Sequence, residues 1–269
     1  MINDFPQALT IAGSENGGGA GMQADLHTLF AEHVYGTSVL TACVAGNSYG
    51  VHVIHKLPID FINQEFKDIA DDFKIKASKT GMLADANLIN AVYKNYTKYD
   101  LGPLVVDPVI ASNHGEMLLE NSAIKTLKRK LIPIADVLTL NFYESQKLSG
   151  IQIKSDQDMK QVAEVLQELG ANNIMIKGKN DNANRKVVKD YVLLKSHHDF
   201  WLSGQYYPTH HKDGTGDTLS AAITANLAKG MDVKASIIEA KSYVDDAIKH
   251  VINVGHKLGP INHYVKFQK

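Results

Sequence analysis

The sequence predicts an α/β three-layer sandwich with a mostly parallel central sheet. Three observations carry the prediction: short apolar runs alternate with longer stretches of helical period, polar and glycine residues gather where the runs end, and 269 residues with 44% hydrophobic content can enclose one large core. Alternating strands and helices require parallel pairing through right-handed crossovers, which covers both faces of the sheet with helices. Residues 1–269 are read as a single domain.

Strands are expected at 8–12, 39–44, 104–107, 137–140 and 174–177. Each run is too short and too apolar for anything but interior sheet or a fragment of helix. Between them Leu88, Ile89, Val92 and Tyr93 recur at helical spacing, as do Val162, Val165, Leu166 and Leu169. Ser155 and Asp158 form a capping-box pattern at the start of the second of these helices, and Gly170 signals its end. Residues 187–207 read as a hairpin or two at the sheet edge, and 180–185 as an exposed loop.

Composition narrows the function classes. Lys plus Arg number 28 and Asp plus Glu 29, mixed along the chain for a net charge of −1, so no general affinity for nucleic acid is expected. Lys128-Arg129-Lys130 reads as solvated helix surface. No apolar run approaches a membrane span, and residues 1–6 lack a basic region followed by an apolar core, so a cytoplasmic setting without a membrane partner is expected. Cys43 is the only cysteine, which excludes an internal disulfide, and its apolar neighbours predict a core position.

Ligands of parallel sheets gather beyond the carboxyl ends of the strands, where Gly13, Ser14, Asp107, Asn141 and Lys177 fall. In residues 212–222 two glycines, Asp217 and an apolar helix follow one another without a gap. Such a turn aims unpaired N–H groups and the positive end of a helix dipole at an anion, with a carboxylate beside it; on its own it also reads as a turn and a cap. Transfer of a phosphoryl group to a hydroxyl needs both the anion cradle and the base.

The glycine-rich stretch 13–25 fits neither the dinucleotide fingerprint nor a Walker A loop. It reads as a floor or flap over a small planar substrate, or as an ordinary turn. Asn141 and Glu144, three residues apart, can face one cavity and serve Mg–ATP, or can cap a helix. Lys177 and Lys179 flank Gly178, where a point charge can meet phosphate oxygens. His197-His198 and His210-His211 are adjacent pairs that on a strand point to opposite faces and lack a spaced third ligand, so no histidine metal centre is expected. Tyr206-Tyr207 reads as edge packing.

Taken together, residues 8–14, Gly18-Gly19-Ala20-Gly21-Met22-Gln23-Ala24-Asp25, Lys79-Thr80-Gly81-Met82-Leu83, Val106-Asp107-Pro108-Val109, Asn141-x-x-Glu144, Lys177-Gly178, Gly214-Thr215-Gly216 and Gly259-Pro260-Ile261-Asn262-His263-Tyr264 resemble the vitamin-kinase branch of the ribokinase superfamily. The similarity is to hydroxymethylpyrimidine/phosphomethylpyrimidine kinase and to the related pyridoxal kinase. The resemblance implies a ribokinase-like sandwich and ATP-dependent phosphorylation of the hydroxymethyl group of a heteroaromatic alcohol, with Mg2+, a monovalent cation and a homodimer as further expectations. It implies a ring site among Gly13, Ala20, Val44, Gly46, Met82 and Val109, and ATP across Asn141, Lys177 and Thr218, with Glu144 toward the metal. The resemblance makes Asp217 the base, and gives to the N–H groups of Thr215, Gly216 and Asp217, in the catalytic loop that Gly214 opens, the stabilisation of the transferred charge.

The pattern also departs from the pyrimidine kinases. Asp217 stands where they usually carry cysteine, Gly46 where a glutamine reads the ring, Asn113 for a lysine, Asp213 for a histidine and Lys179 for a glycine. A pyrimidine precursor of thiamine is the first expectation, a B6 vitamer the alternative. A non-catalytic ring-binding paralogue is the reading from another class.

Overall fold

The computed structural model describes residues 3–112, 115–178 and 186–268. Its centre is β1 (Gln7–Glu15), paired in parallel on one side with β2 (Tyr35–Asn47) and on the other with β4 (Ala77–Thr80). Three further parallel strands extend the sheet beyond β4: β5 (Leu104–Val106), β6 (Val137–Leu140) and β7 (Asn173–Ile176). Antiparallel strands close both edges, β3 (Gly50–Lys56) against β2, and β8 (Val187–Leu193) with β9 (Asp199–Gln205) beyond β7. Among the described residues this sheet has nine strands, and β10 (His211–Asp213) pairs separately with β11 (Gly259–Pro260).

The two-residue period of the strands builds the layers. Leu104 and Val106 enter the larger core with α2 (Ile59–Asp72), α3 (Ala86–Lys98), α4 (Ile124–Lys130), α5 (Phe142–Ser149) and α6 (Asp156–Glu168). Val105, between them, packs on the opposite face with α7 (Thr215–Ala228) and α8 (Val233–Lys249). There α1 (Gly21–Ala31) contributes Leu29 to a small cluster with Ala8, Ala77 and Ala225. Fully burying each such leucine, valine or isoleucine contributes roughly 1.5–3 kcal/mol before entropy is counted. The α/β sandwich, the five expected strands and the edge hairpin are all present.

Helix ends follow local chemistry. Ser155 and Asp158 form the expected capping box of α6, and Asp85 accepts from the N–H groups of Asn87 and Leu88 at the start of α3. Gly150 ends α5 in the left-handed region, with φ 80°.

Several readings are corrected. Cys43 is exposed, because strand alternation near the end of β2, where it pairs with β3, turns Val44 to the core and Cys43 to the solvent. His197 lies in a turn with φ 60° rather than on a strand. Lys179, Asn113 and the 180–185 loop lie outside the described residues. No helix of the described residues is long and apolar enough to cross a membrane.

Candidate active site

The chain leaves β1 for β2 on one side and returns to β4 on the other, so the carboxyl end of β1 is a point where the strand order reverses. A cavity opens there. Gly13 from β1, Val44 and Gly46 from β2, Met82 after β4, Val109 after β5, and Ala20 before α1 line it; these are the six residues that the resemblance implies for a ring site. Asp107, Asn141, Glu144, Lys177, Gly214, Gly216 and Asp217 line the same cavity. Thr218 does not: its side chain is fully buried and its hydroxyl meets His263 Nε2 at 2.9 Å. Burial lowers His263 to about 4, so its imidazole is neutral at physiological pH.

The first glycine loop is tied down by its own polar side chains. Glu15 accepts from the N–H groups of Gly17 at 2.8 Å and Gly19 at 3.3 Å, while Gln23 accepts from Glu15 N–H and donates to Ser14 Oγ. Asn16 Oδ1 accepts from Gly46 N–H at 2.8 Å, joining the loop to the β2–β3 ribbon. A Cβ at Gly46 would lie 2.7 Å from the Gly50 carbonyl oxygen, so this ribbon has no room for the ring-reading side chain that the resemblance leads one to seek there.

The second glycine turn rests directly on the first. Gly214 has φ 74°, and a Cβ there would fall 1.9 Å from the Gly19 carbonyl oxygen. Only glycine combines that conformation with that approach. The turn opens α7, which Thr215 and Gly216 begin; no side chain caps this helix start, and Gly214, Gly216 and Asp217 line the cavity.

Charges converge on this turn. Burial raises Asp217 above the usual carboxylate value; Lys79 pulls it down, Asp107 pushes it up, and the Gly21 N–H and Lys177 pull it down again. The net rise makes it a better proton acceptor than a solvated aspartate. Burial alone would lower Lys177, but Asp107, Glu144 and Asp217 hold its ammonium above its usual value. Lys177 Nζ lies 3.8 Å from Asp107 Oδ1, and Ser220 Oγ donates to Asp107 Oδ2 at 3.3 Å.

Asn141 and Glu144 form a reciprocal capping box: Asn141 Oδ1 accepts from Glu144 N–H, and Glu144 Oε2 from Asn141 N–H, both at 2.8 Å. Glu144 Oε1 accepts from Ile110 N–H at 3.4 Å. Each oxygen keeps acceptor capacity toward the cavity. A carboxylate beside a side-chain amide oxygen is a hard oxygen donor set of the kind that suits Mg2+ carried chiefly by phosphate oxygens and water.

Burial, eased by Lys177 and aggravated by Asp107, pushes Glu144 from 4.5 up to about 7. A carboxyl whose folded value is raised stabilises the fold fully below about 4.5, and that contribution is lost as pH rises through about 7. Glu144→Gln keeps the capping box and cannot ionise, so its melting temperature should exceed that of the parent at pH 8 by a few degrees and lose that advantage at pH 5. Melts showing equal differences at both pH values would refute the assignment.

Lys177 also borders a second groove between β8 and α8, walled by Val188, Leu219 and Val244 and carrying Lys241 and Asp245; Gly178 and Thr215 line this groove and not the first cavity. Lys177 and the start of α7 thus stand where the two recesses meet. The sequence reading missed Asp25 and Lys79, which form an ion pair close to the main chain of Asp217; the available signal was a charged residue at the end of the 18–25 glycine segment and another at the start of 79–83.

A phosphomethylpyrimidine kinase model matches residues 15–262. The chain is 41% identical over 264 residues to a hydroxymethylpyrimidine/phosphomethylpyrimidine kinase of Haemophilus influenzae, covering 98% of each chain. It superimposes with TM-score 0.91 on a Bacillus subtilis pyridoxal kinase in complex with ADP, at 33% identity, over 99% of this chain and 100% of that one. A Staphylococcus aureus pyridoxal kinase bound to AMP-PCP and pyridoxal matches with TM-score 0.87 at 31% identity, over 96% and 93%. Matched from its first glycine loop to the segment after β11, the chain belongs to the phosphomethylpyrimidine kinase family.

Proposed function

We propose that this chain transfers the γ-phosphoryl group of ATP to the hydroxymethyl group of a pyrimidine, with hydroxymethylpyrimidine and its monophosphate as the substrate class. The observation that carries the reading is the meeting of Asp217, the Gly214 turn and Lys177 in one cavity with an apolar slot formed by Val44, Met82 and Val109. The same set argues against a non-catalytic paralogue.

The ring lies in the slot and the nucleotide in the groove beside α8, so that its terminal phosphate meets the start of α7. The hydroxymethyl oxygen attacks the γ-phosphorus while its proton passes to the Asp217 carboxylate. The bond from that phosphorus to the bridging oxygen breaks, and ADP leaves. N–H groups of the turn and the Lys177 ammonium meet the charge on the transferred oxygens. Glu144 would be the protein carboxylate holding Mg2+ brought in with the phosphates, and the ion would supply further charge neutralisation there. Glu144→Gln should therefore require more magnesium for half-maximal turnover; an unchanged magnesium dependence would remove Glu144 from this role.

A B6 vitamer is the second reading, favoured by the absence of a ring-reading side chain at Gly46. Its pocket relies on backbone groups and neighbours such as Asn47, and should be less selective. Side-by-side ADP-release assays decide: both hydroxymethylpyrimidine and pyridoxal should be phosphorylated, the pyrimidine with the higher kcat/KM. Strict B6 activity would make the protein a pyridoxal kinase, and no activity on either would favour the non-catalytic reading. A cytoplasmic homodimer and a monovalent-cation requirement complete the proposal. Light scattering tests the dimer, and replacing potassium with tetramethylammonium tests the cation.

A further inference from the structure

Beneath the cavity lies a charge pair that the proposed chemistry does not touch. Lys79, on β4, and Asp25, on α1, are both 0% exposed; Lys79 Nζ donates to Asp25 Oδ1, and Thr10 Oγ1, on β1, donates to Asp25 Oδ2 at 2.5 Å. The same ammonium approaches the main-chain oxygen of Asp217 at 3.5 Å. Removing two charges from water this completely costs as much as their attraction returns, and well-packed apolar residues of similar volume would serve stability equally well. The pair therefore calls for a reason other than stability.

We propose that Lys79, anchored by Asp25, is a positioning residue that holds Asp217 and the first turn of α7 in register for proton transfer. The proposal rests on Asp217 being the base. Asp25 is locked by Thr10, so the ammonium has one place to sit, at the junction of β1, β4, α1 and α7. From there it acts on Asp217 in two ways. It fixes the peptide at residue 217 from below, while Gly21 N–H holds the carboxylate from the loop side. Its positive charge also offsets burial and Asp107, which favour the protonated acid, working alongside Lys177. Asp25, Asp107 and Lys177 are the other charged groups that face this junction, from α1 and from the ends of β5 and β7.

The two partners predict opposite shifts. Asp25→Asn keeps an acceptor oxygen for Lys79 and turns Thr10 Oγ1 from donor to acceptor, but leaves the ammonium uncompensated, so the acid limb of the kcat/KM profile should move to lower pH. Asp25→Asn with Lys79→Met removes both charges and the anchor, so the limb should move above its wild-type position. A displacement of about one pH unit each way corresponds to about a tenfold change on the acid side of the limb. Nucleotide and ring-substrate KM should stay within about twofold of wild type, because neither residue reaches the cavity. An unmoved limb, or a loss uniform across pH and matched by a fall in melting temperature, overturns the proposal. If the double variant does not fold, Asp25→Asn decides alone, and a limb that stays or rises overturns it. Asp217→Asn run in parallel separates the two assignments: if it retains turnover the base is wrong, and if it is inactive while the limb stays fixed only the role of Lys79 fails.

Discussion

Asp217→Asn should lower kcat by about 10²–10⁴-fold, the range of a positioned general base, while nucleotide affinity stays nearly unchanged. The amide preserves the shape of the side chain but cannot accept the hydroxymethyl proton. Its neutrality imitates the protonated acid that burial favours, so the variant should fold at least as well as its parent at pH 8. Steady-state ADP release with nucleotide titration checks both halves. Turnover near the wild-type rate would show that the hydroxyl loses its proton elsewhere.

Gly214→Ala should cost turnover about a hundredfold, because displacement of a catalytic turn by an ångström carries a loss of that order. A methyl at this position meets the Gly19 carbonyl oxygen at 1.9 Å, and the φ of 74° strains any L side chain, so the turn and the first loop must both shift. Gly18→Ala is the matched control: its φ of 77° is similar, yet a Cβ there meets nothing within 4 Å. Comparable kcat values for the two variants would mean that backbone strain, rather than the approach of the two turns, limits the site.

The sequence was most legible where one local rule acted alone. Apolar runs such as Val137–Leu140 became strands, and Ser155 with Asp158 capped the expected helix. β4 escaped because Ser78, Lys79 and Thr80 are polar, and only tertiary packing reveals that all three are buried. Cys43 was misjudged because its neighbours are apolar, whereas the alternation of β2 turns Ala42 and Val44 inward and Cys43 and Ala45 to solvent. In the cavity, glycines and carboxylates at strand ends were legible through their chemistry. The position of Thr218 inside the helix packing was not, since a hydroxyl near a phosphate site and one bonded to a distant histidine look alike in sequence. The Lys79–Asp25 contact joins two elements far apart in the chain, which no local pattern reports.

The parallel pairing of β10 with β11, together with the Ile261 N–H that donates to the Asp213 carbonyl at 3.2 Å, seats residues from after α8 against the entrance of α7. The Gly214 turn in turn rests on Gly19, near the other end of the described chain. During synthesis, the early strands can pair as they emerge, but the cradle awaits residues made after α8. A ribosome-bound nascent chain that has not yet extruded residue 259 should therefore hold a sheet whose Gly214 turn is unsupported from the β11 side, and the proposed phosphoryl transfer should begin only once that segment is seated.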